Sequence, residues 1–323
     1  MKAAFYDRNG AAEDVLQVGD LPKPAPTTGE VLVRLHASGV NPSDVKSRAG
    51  LRAKMASPRV VPQSDGAGVI EAVGEGVDPG RVGERVWIWN GQWQRPMGTA
   101  AEYIAVPNIQ APHLPDNTPF EAGACLGIPA MTAHRCVFAD GPVAGQTILV
   151  TGGAGAVGHY AIQLARWGGA KVITTVSGAD KAAHVKAAGA DRVVNYRNED
   201  VTAAVKDFTQ GAGVDRIVEV EFGGNLATSL ACLKTNGVIA TYASSAVMEP
   251  KLPFYPMMFQ GVTVRMVLVY ILPEAARRQS IQDINHALAQ GALVHAIAGT
   301  YPLGRIAAAH KAVESGTMIG NVV

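Results

Sequence analysis

The chain has little cysteine and little charge: three Cys residues, at 125, 136 and 232, and 17% charged residues among 323. An odd number of widely spaced cysteines without a C-x-x-C pair builds neither a disulfide framework nor a zinc lobe, so buried free thiols are expected. Eight histidines are scattered with no H-x-x-x-H pair, and no metal site starts from them. A net charge of +1 supplies no long-range field for polyanions, which speaks against a general nucleic-acid role. No apolar run approaches the ~18 residues of a membrane span. The start, Met1 to Arg8, lacks the apolar stretch of a leader. A cytoplasmic protein with no membrane partner is therefore expected.

What is abundant is hydrophobic residue, 48% of the chain, enough for large cores. The length exceeds what one core usually supports, roughly 250 to 300 residues, and points to two domains. The first ~120 residues carry short β-branched runs between Gly and Pro turns, such as 31–35, 68–74 and 85–89. Prolines at 22, 24 and 26 disfavour an early helix. From Glu121 the pattern becomes alternating strands and helices, the pattern of a parallel sheet covered on both faces. Strands are read at 147–150, 171–176, 192–195, 215–220 and 237–242, with helices near 156–167, 180–188, 226–234 and 280–290. The apolar run 262–270 reads as a buried central strand or as an edge covered by a partner subunit. No internal repeat or low-complexity linker is present.

Strand 147–150 runs into Thr151-Gly152-Gly153-Ala154-Gly155-Ala156-Val157-Gly158 and then a helix. Glycines at 152, 155 and 158 let the backbone approach a pyrophosphate, with the helix N-terminus facing the negative charge. The strand-turn-helix context that this motif requires is present. NAD enzymes place an acid about 20 residues on, at the end of the next strand, to hold the ribose 2′-hydroxyl. Ser177 occupies that position here. Asp180 falls one turn later and reads as an N-cap. Ser177, Lys181, Tyr196 and Arg197 suit a 2′-phosphate, hence NADPH; for Lys181 or Arg197 taken alone, an ordinary solvated charge is equally consistent.

Further ordered marks run the length of the chain: Gly39-Val40-Asn41-Pro42-Ser43-Asp44, Asp65-Gly66-Ala67-Gly68-Val69, Gly98-Thr99-Ala100-Ala101-Glu102-Tyr103, Gly127-Ile128-Pro129-Ala130-Met131-Thr132-Ala133 and Gly320-Asn321-Val322-Val323. In these the chain resembles the zinc-free, zeta-crystallin-like quinone oxidoreductases of the medium-chain dehydrogenase/reductase superfamily. The resemblance implies an α/β protein with a GroES-like, β-rich catalytic domain over 1–122 and 265–323. A Rossmann doubly wound parallel sheet over 123–264 would bind NADPH, with a cleft between the domains where nicotinamide meets substrate. It implies coenzyme contacts at Asn41, Thr132, Gly152, Gly155, Ala156, Val157, Gly158, Ser177, Lys181, Tyr196, Ser244 and Asn321. It also implies a homodimer or homotetramer joined through Rossmann edge strands. Zinc-dependent relatives carry a Cys where this chain has Asn41, Gly-His-Glu where it has Gln63-Ser64-Asp65, and a further ligand near Ile128. Those positions imply no metal.

The implied reaction passes hydride to a quinone or α,β-unsaturated carbonyl, with the Asn41 amide donating to the oxygen that gains charge. The plain alternative for Asn41, before Pro42, is a turn residue. Many relatives have cleft tyrosines near Lys46 and Arg52. Here Lys46, Arg48, Arg52, Lys54 and Arg59 form a basic run that reads as a solvated loop, with substrate contact from Lys46 and Arg52 as the sharper alternative. Trp87 and Trp89 share a strand face and read as core, while Trp93 would form a flat wall for the acceptor. Two further functions remain open: reduction of 2-enoyl thioesters, and a non-catalytic nucleotide- or RNA-binding, crystallin-like role.

Overall fold

The computed structural model describes residues 1–51, 55 and 57–323. The chain divides into two compact units, 1–128 with 295–323, and 129–294.

The first unit is built on an antiparallel sheet of four strands in the order Arg85–Ile88, Asp65–Val73, Glu30–Gly39, Tyr103–Pro107. Its inward β-branched residues, among them Val31, Val33, Ile70, Val86, Ile104 and Val106, form one buried cluster. The packing of alternating β-branched side chains is what makes these stretches strands. Helix Pro42–Arg48 follows the 30–39 strand directly, with Pro42 at its first position, where the missing N–H costs nothing. Helix Ile306–Glu314 and the short strand Asn321–Val322 return to this unit. An isolated antiparallel bridge pairs Val322 with Val40.

The second unit holds a six-stranded parallel sheet. Its order is Thr263–Met266, Leu233–Thr241, Val214–Glu219, Thr147–Val150, Lys171–Val176, Arg192–Asn195. The strand order reverses direction between the 147–150 and 214–219 strands, the switch point at which doubly wound sheets bind ligands. The expected α/β architecture of two such parts is present.

Several local expectations are corrected. Domain boundaries were expected at 122/123 and 264/265, whereas the compact units change at 128/129 and 294/295. The second shift has a clear cause. The 263–266 strand pairs with the 233–241 strand, and helix Glu274–Ala289 bonds through Ser280 and Asp283 to His134, so residues 265–294 stay with the parallel sheet. The apolar 262–270 run is an edge strand of four residues followed by a 3-10 turn at Val269–Ile271, not a central strand. Helix Ala179–Ala187 is capped by Gly178, so Asp180 lies inside its first turn, where a negative charge suits the helix dipole, and is not the N-cap.

Candidate active site

In the second unit the 147–150 strand ends in a tight glycine turn. Gly152 has φ 63°, the left-handed region that favours glycine, and a Cβ on Gly158 would stand 2.5 Å from the Gly152 carbonyl oxygen. Gly155 caps helix Ala156–Trp167, so Ala156, Val157 and Gly158 form its first turn and their N–H groups face the turn. Beside this loop opens a cavity of about 490 Å³, whose wall includes Gly152, Thr175, Tyr196, Glu199 and Glu221.

The loop is fixed from beneath. Glu219, fully buried, accepts hydrogen bonds from Thr151 Oγ1 (2.8 Å), Glu221 N (2.7 Å), Asn225 Nδ2 (2.9 Å) and Ser229 Oγ (2.9 Å). Thr151 Oγ1 in turn accepts from Val220 N at 3.0 Å, tying the glycine turn to the neighbouring strand end. Thr175 Oγ1 accepts from Gly152 N at 3.0 Å. These anchors were not anticipated. A Thr before the glycines and a Glu at the fourth strand's end were their only signal.

The phosphate candidates converge. Register pairs Val176 with Asn195, so Ser177 and Tyr196 leave adjacent strand ends side by side, and Tyr196 N donates to Val176 O at 3.1 Å. Lys181 stands one turn on, in the first turn of the 179–187 helix. Tyr196 is exposed, and Ser177 and Lys181 are half-buried. Thr132 is buried in helix Met131–Phe138. Ser244 is differently employed: its hydroxyl accepts from Gly223 N (2.9 Å) and donates to Val247 O, holding the 244–247 turn against the start of helix Phe222–Cys232. Burial pushes the neighbouring Glu221 carboxyl up, but backbone N–H donors from Ser245, Ala246 and Gly224 outweigh it and hold the group below its ordinary value.

In the first unit Asn41 caps the 42–48 helix. Its N–H donates to Asp44 Oδ2 at 2.8 Å, and its Nδ2 donates to Asp65 Oδ2 at 2.8 Å. Asp65 is fully buried, and both its oxygens accept from Ile128 N at 2.9 Å. Burial drives the Asp65 carboxyl well above the usual range, against those two donors. The Val40–Val322 bridge sets Asn321 across from Asn41, and Asn321 Nδ2 donates to Ala296 O at 3.2 Å. The three places where zinc-dependent relatives carry ligands thus meet as an amide, a carboxyl and a backbone N–H. Among the described residues no group of three His, Cys, Asp or Glu side chains could hold a metal ion.

The basic run does not behave as one solvated loop. Arg48 is fully buried, bonded to Gly10 O and to Glu314, and Arg59 makes a two-bond pair with Asp7 at 2.8 and 3.0 Å. Lys46 is half-buried on the helix that Asn41 caps. Arg52 and Lys54 lie outside the described residues. Trp87 and Trp89 are core, the latter donating from Nε1 to Ile109 O at 3.1 Å. Trp93 is half-buried in a turn closed by its own N–H on Asn90 O at 3.2 Å, and Gly91 N fastens that loop to Ser64 O at 2.8 Å. The loop is therefore anchored one residue from Asp65. The three cysteines are buried free thiols, as expected.

Comparisons with known proteins agree with this geometry. The family model described as alcohol dehydrogenase GroES-like domain matches residues 27–116, and that described as zinc-binding dehydrogenase matches 156–286. The chain is 30% identical to a rat quinone oxidoreductase over 324 residues, 98% of this chain and 96% of the relative. It belongs to the quinone oxidoreductase family of medium-chain dehydrogenases/reductases. Among solved structures, a mycobacterial protein complexed with NADPH superposes with a TM-score of 0.86 at 29% identity, covering 100% of this chain and 99% of that one. A 2-haloacrylate reductase superposes at 0.84 and 28%, covering 100% and 98%. Membership in the quinone oxidoreductase family accounts for both units together, the β-rich one and the doubly wound one. Among the described residues, no helix is long and apolar enough to cross a membrane.

Proposed function

We propose that the chain is an NADPH-dependent, zinc-independent reductase that delivers hydride to a quinone or an α,β-unsaturated carbonyl. The observation that carries this reading is the Asn41–Asp65–Ile128 network, which puts an amide donor where zinc-dependent relatives put a metal.

NADPH fits the residues present: the Gly152–Gly158 turn brings backbone and a helix N-terminus close together through glycines at 152 and 158, and Ser177, beside Tyr196 and one turn before Lys181, stands where an NAD enzyme carries an acid. Arg197, exposed one residue further, adds to the positive side of that cluster. When bound, NADPH supplies the hydride. Thr132 and Asn321 would contribute to its binding through the hydroxyl and amide groups they carry, whereas Ser244, whose hydroxyl is taken by Gly223 N and Val247 O, would act only by holding its own turn in place. Asn41 has a second amide N–H beyond the one held by Asp65, and we assign it to the oxygen that gains negative charge as hydride arrives at the conjugated carbon. One such preorganised donor is worth about 100- to 1000-fold in rate. Trp93 would wall the acceptor, and Lys46 and Arg52 would act on its charge.

A second reading is favoured by Lys46 together with the likeness to 2-haloacrylate reductase. On that reading the preferred acceptor is an acidic or thioester-bearing enone. An NADPH-oxidation screen over quinones, neutral enones, enoyl-CoA esters and carboxylated enones separates the two, with NADH as control and a chelator added. The expected result is NADPH preference, insensitivity to the chelator, and a rise of about tenfold in the NADPH KM for Lys181→Ala with the NADH KM unchanged, as loss of one charged hydrogen bond predicts. A tenfold preference for NADH overturns the phosphate assignment.

We also propose a homodimer built through the 263–266 edge strand. Phe259 is 80% and Met266 69% exposed, with Phe254, Tyr255 and Ile271 open nearby, an apolar surface beside an unpaired strand edge. A cytoplasmic setting belongs to the same proposal, since reducing compartments keep thiols such as these three free.

A further inference from the structure

We infer that Asp65 is the positioning residue that sets the orientation of the Asn41 amide. This rests on the reading that Asn41 donates to the acceptor oxygen. Asp65 sits at the start of the 65–73 strand, fully buried, and is gripped at both ends. Its main-chain oxygen accepts from Thr99 Oγ1 at 2.6 Å and from Ser38 Oγ at 3.3 Å, so its backbone cannot drift. Its carboxyl is centred on Ile128 N, 2.9 Å from each oxygen, and one oxygen takes an N–H of Asn41.

The arrangement is tightly enclosed. A Cβ on Gly127 would stand 2.2 Å from Asp65 Oδ1 and 2.8 Å from Ile88 O, so only glycine leaves the carboxyl its place. Asn41 itself is 4% exposed, and its backbone N–H is held by Asp44. With the N–H of the main chain and one N–H of the side chain both committed, the second side-chain N–H has a single direction left.

A carboxyl is an expensive group to bury, and where shape alone matters a hydrocarbon of similar volume serves stability as well or better. What a hydrocarbon cannot do is accept from Asn41. Asparagine at 65 could keep both bonds by placing its amide oxygen where Oδ2 stands, since that atom accepts from Asn41 and from Ile128 N alike. Leucine at 65 keeps much of the volume and offers neither donor an acceptor, so the Asn41 amide loses the partner that fixes it. The carboxyl keeps an acceptor oxygen toward Asn41 in either protonation state, so the assignment does not depend on its titration.

The test compares wild type with Asp65→Leu, Asn41→Ala and the exchanged pair Asn41→Asp/Asp65→Asn, with NADPH binding followed by fluorescence and folding by Tm. The direct readout is the Asn41 side-chain amide resonance in enzyme labelled with 15N-asparagine, assigned by its loss in Asn41→Ala. In wild type one of its two protons should exchange slowly. In Asp65→Leu that protection should vanish, with kcat down about 100-fold, as expected for a misplaced group, and NADPH affinity within about twofold. An Asn41 resonance that keeps its shift and protection in Asp65→Leu overturns the inference. A changed resonance with undiminished kcat upholds the positioning and instead removes Asn41 from the proposed chemistry, as does full activity in Asn41→Ala. Should Asp65→Leu fail to fold, the exchanged pair decides. Recovery of its Tm, with activity still lost, supports the paired hydrogen bond, and failure to recover overturns it.

Discussion

Asn41 is constrained by three residues scattered over the first unit, Asp44, Asp65 and, through the carboxyl, Ile128. The asparagine itself was visible in sequence because an Asn before a Pro is a turn signal inside a matched motif. Asp65 was not. An acid among glycines and valines reads as the polar start of a strand, and nothing local says that its carboxyl meets a residue 24 positions away. Arg48 was hidden for the same reason: in a run of basic residues it looks solvated, yet its partners, Gly10 and Glu314, come from the far ends of the first unit. Lys46 lies in the last turn of the helix that Asn41 caps. Replacing it by alanine should raise KM about tenfold for carboxylated acceptors and leave neutral quinones nearly unchanged, as loss of one ion pair to substrate predicts. Equal effects on both acceptor classes would show that Lys46 does not meet substrate.

At the scale of the element, periodicity located the central strands well. The 147–150, 171–176 and 192–195 strands and the 156–167 helix begin and end where β-branched runs and glycine turns place them. Elements closed by distant groups were less legible. Helix Phe222–Cys232 starts four residues before the expected 226 because the Glu221 carboxylate caps it, and helix Glu274–Ala289 starts right after its N-cap Pro273, ahead of the expected 280. The latter helix brings Ser280 and Asp283 to His134, at 2.9 and 2.7 Å, a sequence of groups resembling a hydrolase triad. Ser280 is fully buried and donates to Ala276 O, so the trio fastens two helices together and attacks nothing. The edge element carries its own prediction. Phe259→Glu with Met266→Lys should halve the mass found by light scattering, while NADPH affinity persists. An unchanged mass would place the subunit contact elsewhere.

For the whole molecule, buried histidines set the response to acid. Burial, reinforced by the charge of Arg48, pushes His310 down to about 3, and burial pushes His159 down to about 4. A histidine with a depressed folded-state pKa binds its proton more readily when unfolded, so stability rises with pH between the folded and unfolded values and is lost on acidification below about 6.5. Asp65, raised by burial, acts in the opposite sense, holding its proton in the folded state and favouring folding at lower pH. The clean measurement is therefore a difference. His310→Leu should lose less stability than wild type between pH 7 and pH 5, by on the order of 2 kcal/mol in denaturant titrations. Parallel losses in both proteins would mean that His310 is protonated in the folded state.

The excursion of the chain through 129–294 before it returns at 295 bears on how the enzyme is made. On the ribosome, the parallel-sheet unit is made as one uninterrupted segment and has all its strands before residues 295–323 are synthesised. The earlier unit waits, lacking the partner of Val40 and the acid that neutralises Arg48 until Val322 and Glu314 appear. Folding would then proceed out of chain order, with the later-encoded half maturing first and the Asn41 turn among the last regions to become protected. Nascent chains stalled near residue 300 are accordingly expected to bind coenzyme phosphate weakly, to leave residues 1–128 open to protease, and to turn over no acceptor.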